Sequence, residues 1–335
     1  MPRATINDVA ASAGVSTATV SRVLNGHSVA SATADRVWKA VAELDYTPNA
    51  LTRGVFAGRS STIGVIIRDL NSPYYLELMR GIDEAAAAHG SLVMFANTFS
   101  QVEREAGHVQ TMDEQRVRGL ILTTGPTTDE RTRRMAAAGT PCVIVARTVA
   151  DPPPNLHSIS LDNIEAGQLI GGHLVSCGRS SIGVITVGRR QSAMDRVDGL
   201  RGVLKEHELQ LPDNLVRVLG IGAPIHTAVA TAVEDMLAAA RAHGRGIDAV
   251  VCTSGLLTRH AYEALRERGL RIPDDIALIA MDDFDWADVL GITVVAQPSY
   301  EMGKEAATLI ATRPAEPVQI VKKPRLIMRR SCGEE

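Results

Sequence analysis

Tyrosine and aspartate side chains follow two stretches of apolar residues, at the points where predicted strands would end. Tyr74 and Tyr75 come after the run Thr62–Ile67, and Asp282 and Asp283 close a second run. A tyrosine offers a flat apolar surface with a hydroxyl, and a carboxylate accepts hydrogen bonds. Ligands of α/β proteins bind at the carboxyl ends of strands, so these residues could bind a small polar molecule. The alternative is that both tyrosines belong to the core or to its edge.

A third source of polar chemistry is Arg196, which opens the segment Arg-Val-Asp-Gly-Leu. Its five donors could fork onto vicinal hydroxyls or onto a carboxylate. Arg190 and Ser192 lie just before it, and Ser254 follows the predicted strand Ala249–Thr253. The alternatives are a solvated helix arginine at position 196 and a solvated loop at positions 190 and 192.

The first 25 residues contain two short helical patterns separated by Gly14. Thr5 opens the first with a Thr-x-x-Asp sequence typical of a capping box, and Ser16 can cap the second, over Thr17–Asn25. Two helices joined through a glycine turn form a helix-turn-helix, and a third amphipathic helix is predicted over Ser31–Leu44. The outward face of the second helix is the one that would meet a DNA major groove. That face comprises Thr17, Ala18, Ser21 and Arg22.

The remaining chain alternates short β-branched runs with helical ones, a pattern typical of parallel α/β sheets. The predicted strands are Thr62–Ile67, Leu92–Ala96, Gly119–Thr123, Cys142–Val145, Ile182–Val187, Ala249–Thr253, Ile276–Met281 and Thr293–Ala296. No dinucleotide-binding glycine pattern, phosphate-binding loop, zinc-protease motif or nucleophile elbow is present, so we predict no enzyme activity and no cofactor. The four cysteines lie far apart without zinc spacing, so we predict no metal and a reducing compartment.

Composition supports a folded protein that binds a polyanion through one end. The 335 residues are 45% hydrophobic and 22% charged, with a net charge of −3. Residues 1–59 hold six Lys or Arg against four Asp or Glu, so this head carries +2 and the rest carries −5. Neither a signal peptide nor a membrane-spanning apolar run is evident, and we predict a soluble cytosolic protein.

The segment TINDVAASAGVSTATVSRVLNG resembles, nearly position by position, the head of the lactose-repressor (LacI/GalR) family of bacterial transcription regulators. The hinge pattern of that family, Tyr-x-Pro-Asn-Ala-Leu-Ala-Arg, matches residues 46–53 at all but one specified position. The resemblance continues to about residue 330.

This resemblance implies an α/β fold with an N-terminal helix-turn-helix three-helix head and two Rossmann-like lobes of periplasmic-binding-protein type. We expect the head over 1–46, a hinge helix and linker over 47–60, and an effector-binding and dimerisation body over 61–335. Chain crossings near Ser160, Gly291 and Val318 would assign about 61–160 and 292–318 to the first lobe. The second lobe would then contain about 161–291 and 319–330.

The resemblance also implies two sets of binding residues. Those expected at operator DNA are Thr5, Ser16, Thr17, Ala18, Thr19, Ser21, Arg22, Asn25, Asn49, Ala50 and Val55. Those expected at a small-molecule effector are Tyr74, Tyr75, Arg190, Ser192, Arg196, Ser254 and Asp282. In relatives a hinge leucine wedges between base pairs of the minor groove, and Val55 occupies that position here, after Gly54.

Several positions depart from the family pattern. Ser254-Gly255 replaces a common Asn-Asp, Ala146 stands where a strand often ends in aspartate, and Gly222 lies where an aromatic residue is frequent. Fewer hydrogen-bonding groups make a plain pyranose a weaker candidate, so a sugar, a sugar acid and a nucleoside or base all stay open.

We therefore predict a sequence-specific, DNA-binding repressor, a cytoplasmic and nucleoid-associated homodimer that binds a pseudo-palindromic operator under the control of a small molecule and does not bind a membrane. The alternative is a solute-binding protein or cleft enzyme that carries an accessory helical head.

Overall fold

The structure is a computed structural model that describes residues 4–24, 26–46, 60–123, 125, 129–220, 222, 224–242 and 246–333. The chain divides into two compact units, Met1–Ser60 and Ser61–Glu335. Within the described ranges, every helix is too short or too polar to traverse a lipid bilayer.

The described residues of the first unit form three helices: α1 (Ile6–Ala13), α2 (Thr17–Leu24) and α3 (Ser31–Glu43). The hydroxyl of Thr5 accepts a hydrogen bond from the Asp8 N–H, and the Asp8 carboxylate accepts one from the Thr5 N–H, which completes a capping box. Gly14 ends α1 with a φ of 64°, a left-handed conformation that favours glycine. The helices enclose a small apolar core: Val9, Ala10, Ala13, Val20, Val23, Val37, Ala40 and Tyr46. The predicted three-helix head is confirmed.

The second unit contains twelve strands among the described residues. They are β1 (Thr62–Ile67), β2 (Leu92–Asn97), β3 (Gly119–Leu122), β4 (Cys142–Val145), β5 (Leu156–Leu161), β6 (Ile182–Val187), β7 (Val216–Leu219), β8 (Ala249–Cys252), β9 (Ala277–Met281), β10 (Thr293–Ala296), β11 (Gln319–Lys322) and β12 (Arg325–Ile327). The sequence pattern missed four of them, β5, β7, β11 and β12.

The strands form two six-stranded sheets. The first has the order β11-β5-β4-β3-β1-β2 and is parallel throughout. The second has the order β12-β10-β9-β8-β6-β7, and its edge strand β12 runs antiparallel to β10. Both sheets consist mainly of buried strands, as expected when helices cover both faces of a parallel sheet.

In the described part of this unit, nine α-helices lie between the strands. They are α4 (Pro73–Ala88), α5 (Val102–Glu114), α6 (Asp129–Ala137), α7 (Asn163–Ser176), α8 (Gln191–Glu206), α9 (Ile225–Ala242), α10 (Gly255–Glu267), α11 (Asp285–Leu290) and α12 (Ser299–Thr312). The two-lobed α/β architecture predicted from the sequence is confirmed.

The chain passes between the sheets a few residues away from the predicted positions Ser160, Gly291 and Val318. The passages follow Leu161, Ala296 and Lys322, because β10 belongs to the second sheet and β11 to the first. The assignment of 292–318 to the first lobe and 319–330 to the second is corrected accordingly. The link from β9 to β10 holds only the six-residue helix α11, so β10 stays beside β9.

Glycines allow two helix pairs to approach closely. A Cβ on Gly81 of α4 would lie 2.0 Å from the carbonyl oxygen of Tyr300 in α12. A Cβ on Gly167 of α7 would lie 2.0 Å from the carbonyl oxygen of Arg196 in α8. The second approach matters for the site, because it holds the backbone of Arg196 against α7.

Candidate functional site

A cavity of about 660 Å³ lies between the carboxyl ends of strands from both sheets. The sequence analysis named seven residues for a small-molecule site, and the structure brings all seven to this cavity: Tyr74, Tyr75, Arg190, Ser192, Arg196, Ser254 and Asp282. They come from three segments of the second sheet and one of the first, and parallel topology gathers them because all strand ends share one edge.

Arg196 is buried on the first turns of α8 and is held by three acceptors. Its Nε donates to Asn163 at 2.8 Å, its Nη1 to the Thr253 carbonyl at 2.6 Å, and its Nη2 to the Gln297 side chain at 3.3 Å. Burial lowers the pKa of this guanidinium, and the nearby carboxylate of Asp282 opposes that effect. Three of its five N–H groups therefore donate to acceptors of the protein, and the other two have no acceptor among the described residues.

Asp282 ends β9 in a left-handed conformation, with a φ of 71° that is uncommon outside glycine. One carboxylate oxygen accepts a 2.9 Å hydrogen bond from the Gly255 N–H, and the other accepts a 2.6 Å bond from the Gln297 amide. Asp283 is exposed and forms a 2.9 Å ion pair with Arg329. This ion pair gives Asp283 a contact within its own lobe.

The two tyrosines lie at the start of α4, and their rings meet edge to face at 5.0 Å. The Tyr74 hydroxyl is buried and has no hydrogen-bond partner among the described residues. Burial raises the pKa of this hydroxyl well above its ordinary value, so Tyr74 is protonated at neutral pH. Tyr74 can therefore donate a hydrogen bond, and its side chain is part of the cavity lining.

The other predicted residues border the same space. Arg190 donates a 3.3 Å hydrogen bond to Ser100, which joins the two lobes because Ser100 follows β2. Ser254 precedes the first residue of α10, and its side chain makes no capping hydrogen bond. Ala146 and Gly222, two of the departures from the family pattern, also line the cavity.

In the helical head, the residues expected at DNA bases lie on one exposed surface. Thr17, Ala18 and Arg22 are exposed on α2, and Arg22 donates a 3.3 Å hydrogen bond to the Ser28 carbonyl. Ser16 accepts a 3.2 Å bond from the Thr19 N–H and so caps α2. Ser21 is half-buried and Thr5 is exposed in its capping box. Asn25, Asn49, Ala50 and Val55 lie outside the described residues.

Comparison with known families decides the identity of this arrangement. Residues 5–49 match the bacterial regulatory proteins of the lacI family, and residues 60–316 match the periplasmic binding proteins and sugar binding domain of the LacI family. The chain belongs to the LacI family. It is accordingly a transcriptional regulator with a helix-turn-helix head.

Individual relatives agree with this LacI-family membership. The transcriptional regulator PtxS of Pseudomonas aeruginosa is 33% identical, over 98% of this chain and 96% of PtxS. The ribose operon repressor of Halalkalibacterium halodurans is 31% identical, over 96% of this chain and 91% of that protein. These curated relatives are regulators rather than enzymes.

Solved structures share the fold of this LacI-family chain. A complex of the regulator CelR with cellobiose is 28% identical, with a TM-score of 0.69, over 98% of this chain and 100% of CelR. A lac repressor dimer bound to operator and an anti-inducer gives a TM-score of 0.78 at 24% identity, over 99% of both chains. At that identity the second likeness concerns the fold alone.

The cavity of this LacI-family regulator also contains residues that sequence reasoning missed. Arg68 follows β1, Phe99 follows β2, Gln297 follows β10, and Trp286 lies on α11. The first three stand at strand ends, so the rule that selected Asp282 would have found them if applied to every strand. Within the described residues, no cluster of three or more His, Cys, Asp or Glu could hold a metal ion.

Proposed function

We propose that this regulator is a homodimeric repressor whose operator affinity is set by a small molecule bound between the two sheets. The observation that carries the proposal is the presence, in one chain, of an exposed recognition helix and a polar cavity lined from both lobes. The head is proposed over 1–46, the hinge over 47–60 and the body over 61–335.

In the proposed complex, α2 enters the major groove of each half-site. Arg22 would fork onto guanine and Ala18 would contact a thymine methyl group, with Thr17 beside them. Short polar side chains from the segment that holds α1 and α2 would contact phosphates and set the register. These phosphate-contact residues are Thr5, Ser16, Thr19, Ser21 and Asn25.

Effector control follows from the position of the cavity. A molecule that contacts Tyr74 in one lobe and Arg196 or Asp282 in the other favours one arrangement of the lobes over another. Any difference in its affinity for the two arrangements becomes a difference in operator affinity, and operator DNA then changes effector affinity by the same factor. The proposed effector is a sugar, a sugar derivative or a nucleoside-like molecule, and the cellobiose in the CelR structure supports the first two.

The proposed dimer interface includes the edge strand β2. Leu92, Met94 and Phe95 are exposed on this strand, with Leu92 at 73%. An exposed apolar edge strand is a liability in a monomer, and a second copy of the chain would cover it. Two chains also match the two half-sites of a pseudo-palindrome.

We infer that the chain binds its effector without chemical conversion and acts in the cytoplasm, on the nucleoid. The histidine among the described cavity residues, His260, lies 3.4 Å from Glu263 rather than against a serine or cysteine nucleophile. The proposed location follows from the proposed partner, operator DNA.

The test is selection of bound sequences from random duplex DNA with the full-length protein. We expect a pseudo-palindromic site to be enriched. Arg22→Ala should cost about 1–3 kcal/mol of affinity for that site, as loss of one bidentate base contact does. Lys39→Ala removes one positive charge from an exposed position on α3 and is the matched control. No enriched sequence, or equal effects of the two variants, would contradict the proposal.

A further inference from the structure

The cavity between the sheets has more basic than acidic side chains. Among its described lining residues, four are arginines and two are aspartates: Arg68, Arg190, Arg196, Arg259, Asp69 and Asp282. Arg259 is paired with Glu263 at 2.9 Å. The remaining three arginines have no carboxylate in ion-pair range within the described parts of the chain.

The two aspartates already have donors of their own. Both oxygens of Asp282 accept hydrogen bonds, from the Gly255 N–H and the Gln297 amide. Asp69 accepts two bonds from Asn71, at 3.0 and 2.9 Å. These donors are uncharged, so both carboxylates keep their negative charge, but among the described residues neither forms an ion pair with Arg68.

Arg68 is weakly held in the cavity lining. Its Nη2 donates to the Thr123 carbonyl at 3.4 Å, near the limit for a hydrogen bond. Tyr74 and Arg196 belong to the same lining. The Tyr74 hydroxyl is buried and has no hydrogen-bond partner among the described residues, which costs free energy. A ligand group that accepts its hydrogen bond would remove that cost.

Three helices begin at this cavity. Their first turns line it with Pro73 of α4, Ser192 of α8 and Gly255 of α10. The residues that precede these helices make no side-chain capping bond. Helix N-termini carry partial positive charge and favour anions. The N-terminus of α10 already binds an anion, the carboxylate of Asp282. The first turn of α4 contains Tyr74, which lines the cavity together with Arg68.

We propose that the effector carries an oxyanion, a carboxylate or a phosphate, and that Arg68 and the Tyr74 hydroxyl bind it. This inference rests on the proposed function, in which the cavity is the effector site. Arg68 supplies a planar pair of donors that matches a carboxylate or phosphate, and Tyr74 supplies a third donor. The polar groups of the opposite lobe, Arg196 and Asp282, remain for hydroxyl groups of the same molecule. A volume of about 660 Å³ suits a molecule of this size.

The test is calorimetric titration of the full-length protein with matched probes. The carboxylate arm uses gluconate, glucuronate and galacturonate, with sorbitol, glucose and galactose as their neutral counterparts. The phosphate arm uses glucose 6-phosphate and ribose 5-phosphate, with glucose and ribose as counterparts. We expect at least one anion to bind tenfold or more tightly than its neutral counterpart, and the arm in which it lies identifies the source of the oxyanion.

Variants then test the assignment of Arg68. Arg68→Gln should weaken binding of that anion at least tenfold, Arg68→Lys should retain part of it, and Tyr74→Phe should weaken it several-fold. Arg134→Gln, on the exposed face of α6 outside the cavity, is the matched control and should change nothing. Equal binding of anion and neutral counterpart, no binding by any anion, or unchanged anion binding by Arg68→Gln would each overturn the inference.

Operator binding by the same preparations separates this inference from the proposed function. If the wild-type protein selects an operator but binds no anion, the inference alone fails. If it selects no operator, the regulatory role of the cavity fails as well.

Discussion

The amide nitrogen of Gln297 lies 2.6 Å from a carboxylate oxygen of Asp282, at the point where the chain leaves the second sheet for the first. The amide oxygen of Gln297 accepts a 3.3 Å hydrogen bond from Arg196. One side chain on an inter-lobe passage therefore joins two groups of the proposed effector site. Movement of the lobes at this passage would move Asp282 and Arg196 relative to each other.

Gln297→Met tests this link, since methionine keeps the length of glutamine but forms neither hydrogen bond. We expect effector affinity to fall about tenfold, because loss of a hydrogen bond to a charged group costs about 1.5–3 kcal/mol. Operator binding without effector should persist. Calorimetry and operator titration measure the two effects, and Gln191→Met, which removes an exposed bond to Asp195, is the control. Equal losses in both variants would contradict a special role for Gln297.

Gly167→Ala tests whether close packing of α7 on α8 positions Arg196. The added Cβ would lie 2.0 Å from the Arg196 carbonyl oxygen, so the helices must separate. We expect a loss of about 1–3 kcal/mol of stability, as for other overpacked sites, together with weaker effector binding. Gly172→Ala on the same helix meets nothing within 4 Å and should stabilise the protein by up to about 1 kcal/mol. Thermal unfolding distinguishes the two, and similar effects would refute the packing argument.

Deletion of residues 1–59 should abolish specific operator binding and leave effector binding intact. The division of the chain falls at Ser60, and the apolar cores of the two units share no residue. Calorimetry on the shortened protein provides the measurement. Loss of effector affinity together with the head would show that the two functions are not separable.

The hinge sequence predicts weaker folding of its helix on DNA than in relatives. Glycine at position 54 costs up to about 1 kcal/mol of helix propensity, and Val55 is a shorter wedge than leucine. Both residues lie outside the described part of the chain. The double variant Gly54→Ser with Val55→Leu should bind operator more tightly and bend it more, as measured by titration and by a bending assay. Unchanged or weaker binding would refute this prediction. That result is expected if the adjacent Phe56 is the wedge, or if the hinge does not insert.

His157 predicts a loss of stability in mild acid. Burial lowers the pKa of this imidazole below its ordinary value of 6.5, and its Nδ1 accepts a 3.0 Å hydrogen bond from the Val318 N–H. Below about pH 6.5 the unfolded chain takes up a proton that the folded chain resists, so unfolding becomes easier as the pH falls. His157→Gln, which keeps an acceptor, should reduce this slope in thermal unfolding as the pH falls from 7 through 6.5, the ordinary pKa of the imidazole. The exposed His89→Gln variant is the control, and an unchanged slope in His157→Gln would exclude the effect.

Local signals in the sequence were sufficient for the head. The Thr5–Asp8 capping box, the left-handed Gly14 and the spacing of Val9, Val20 and Val37 specify three short helices within a few dozen residues. Strand-end position was sufficient for part of the cavity, because Tyr74 and Asp282 come after predicted strands. Arg196 lies within α8 and was expected from the family resemblance. The same rule would have reached Arg68 and Gln297.

The sequence by itself determined the helix-turn-helix, the α/β class and the strand-end residues, since these depend on periodicity, caps and breaks that act over short distances. The two lobes were expected from the family resemblance. Only the tertiary structure decided that β10 joins the second sheet and β11 the first. It also decided that Gln297 bridges Asp282 and Arg196, and that Arg68 lines the same cavity as Tyr74, whose hydroxyl is buried and unpartnered among the described residues. The physical reason is that strand partners and side-chain pairs far apart in the chain are selected by packing of the whole body, and no local pattern encodes that selection.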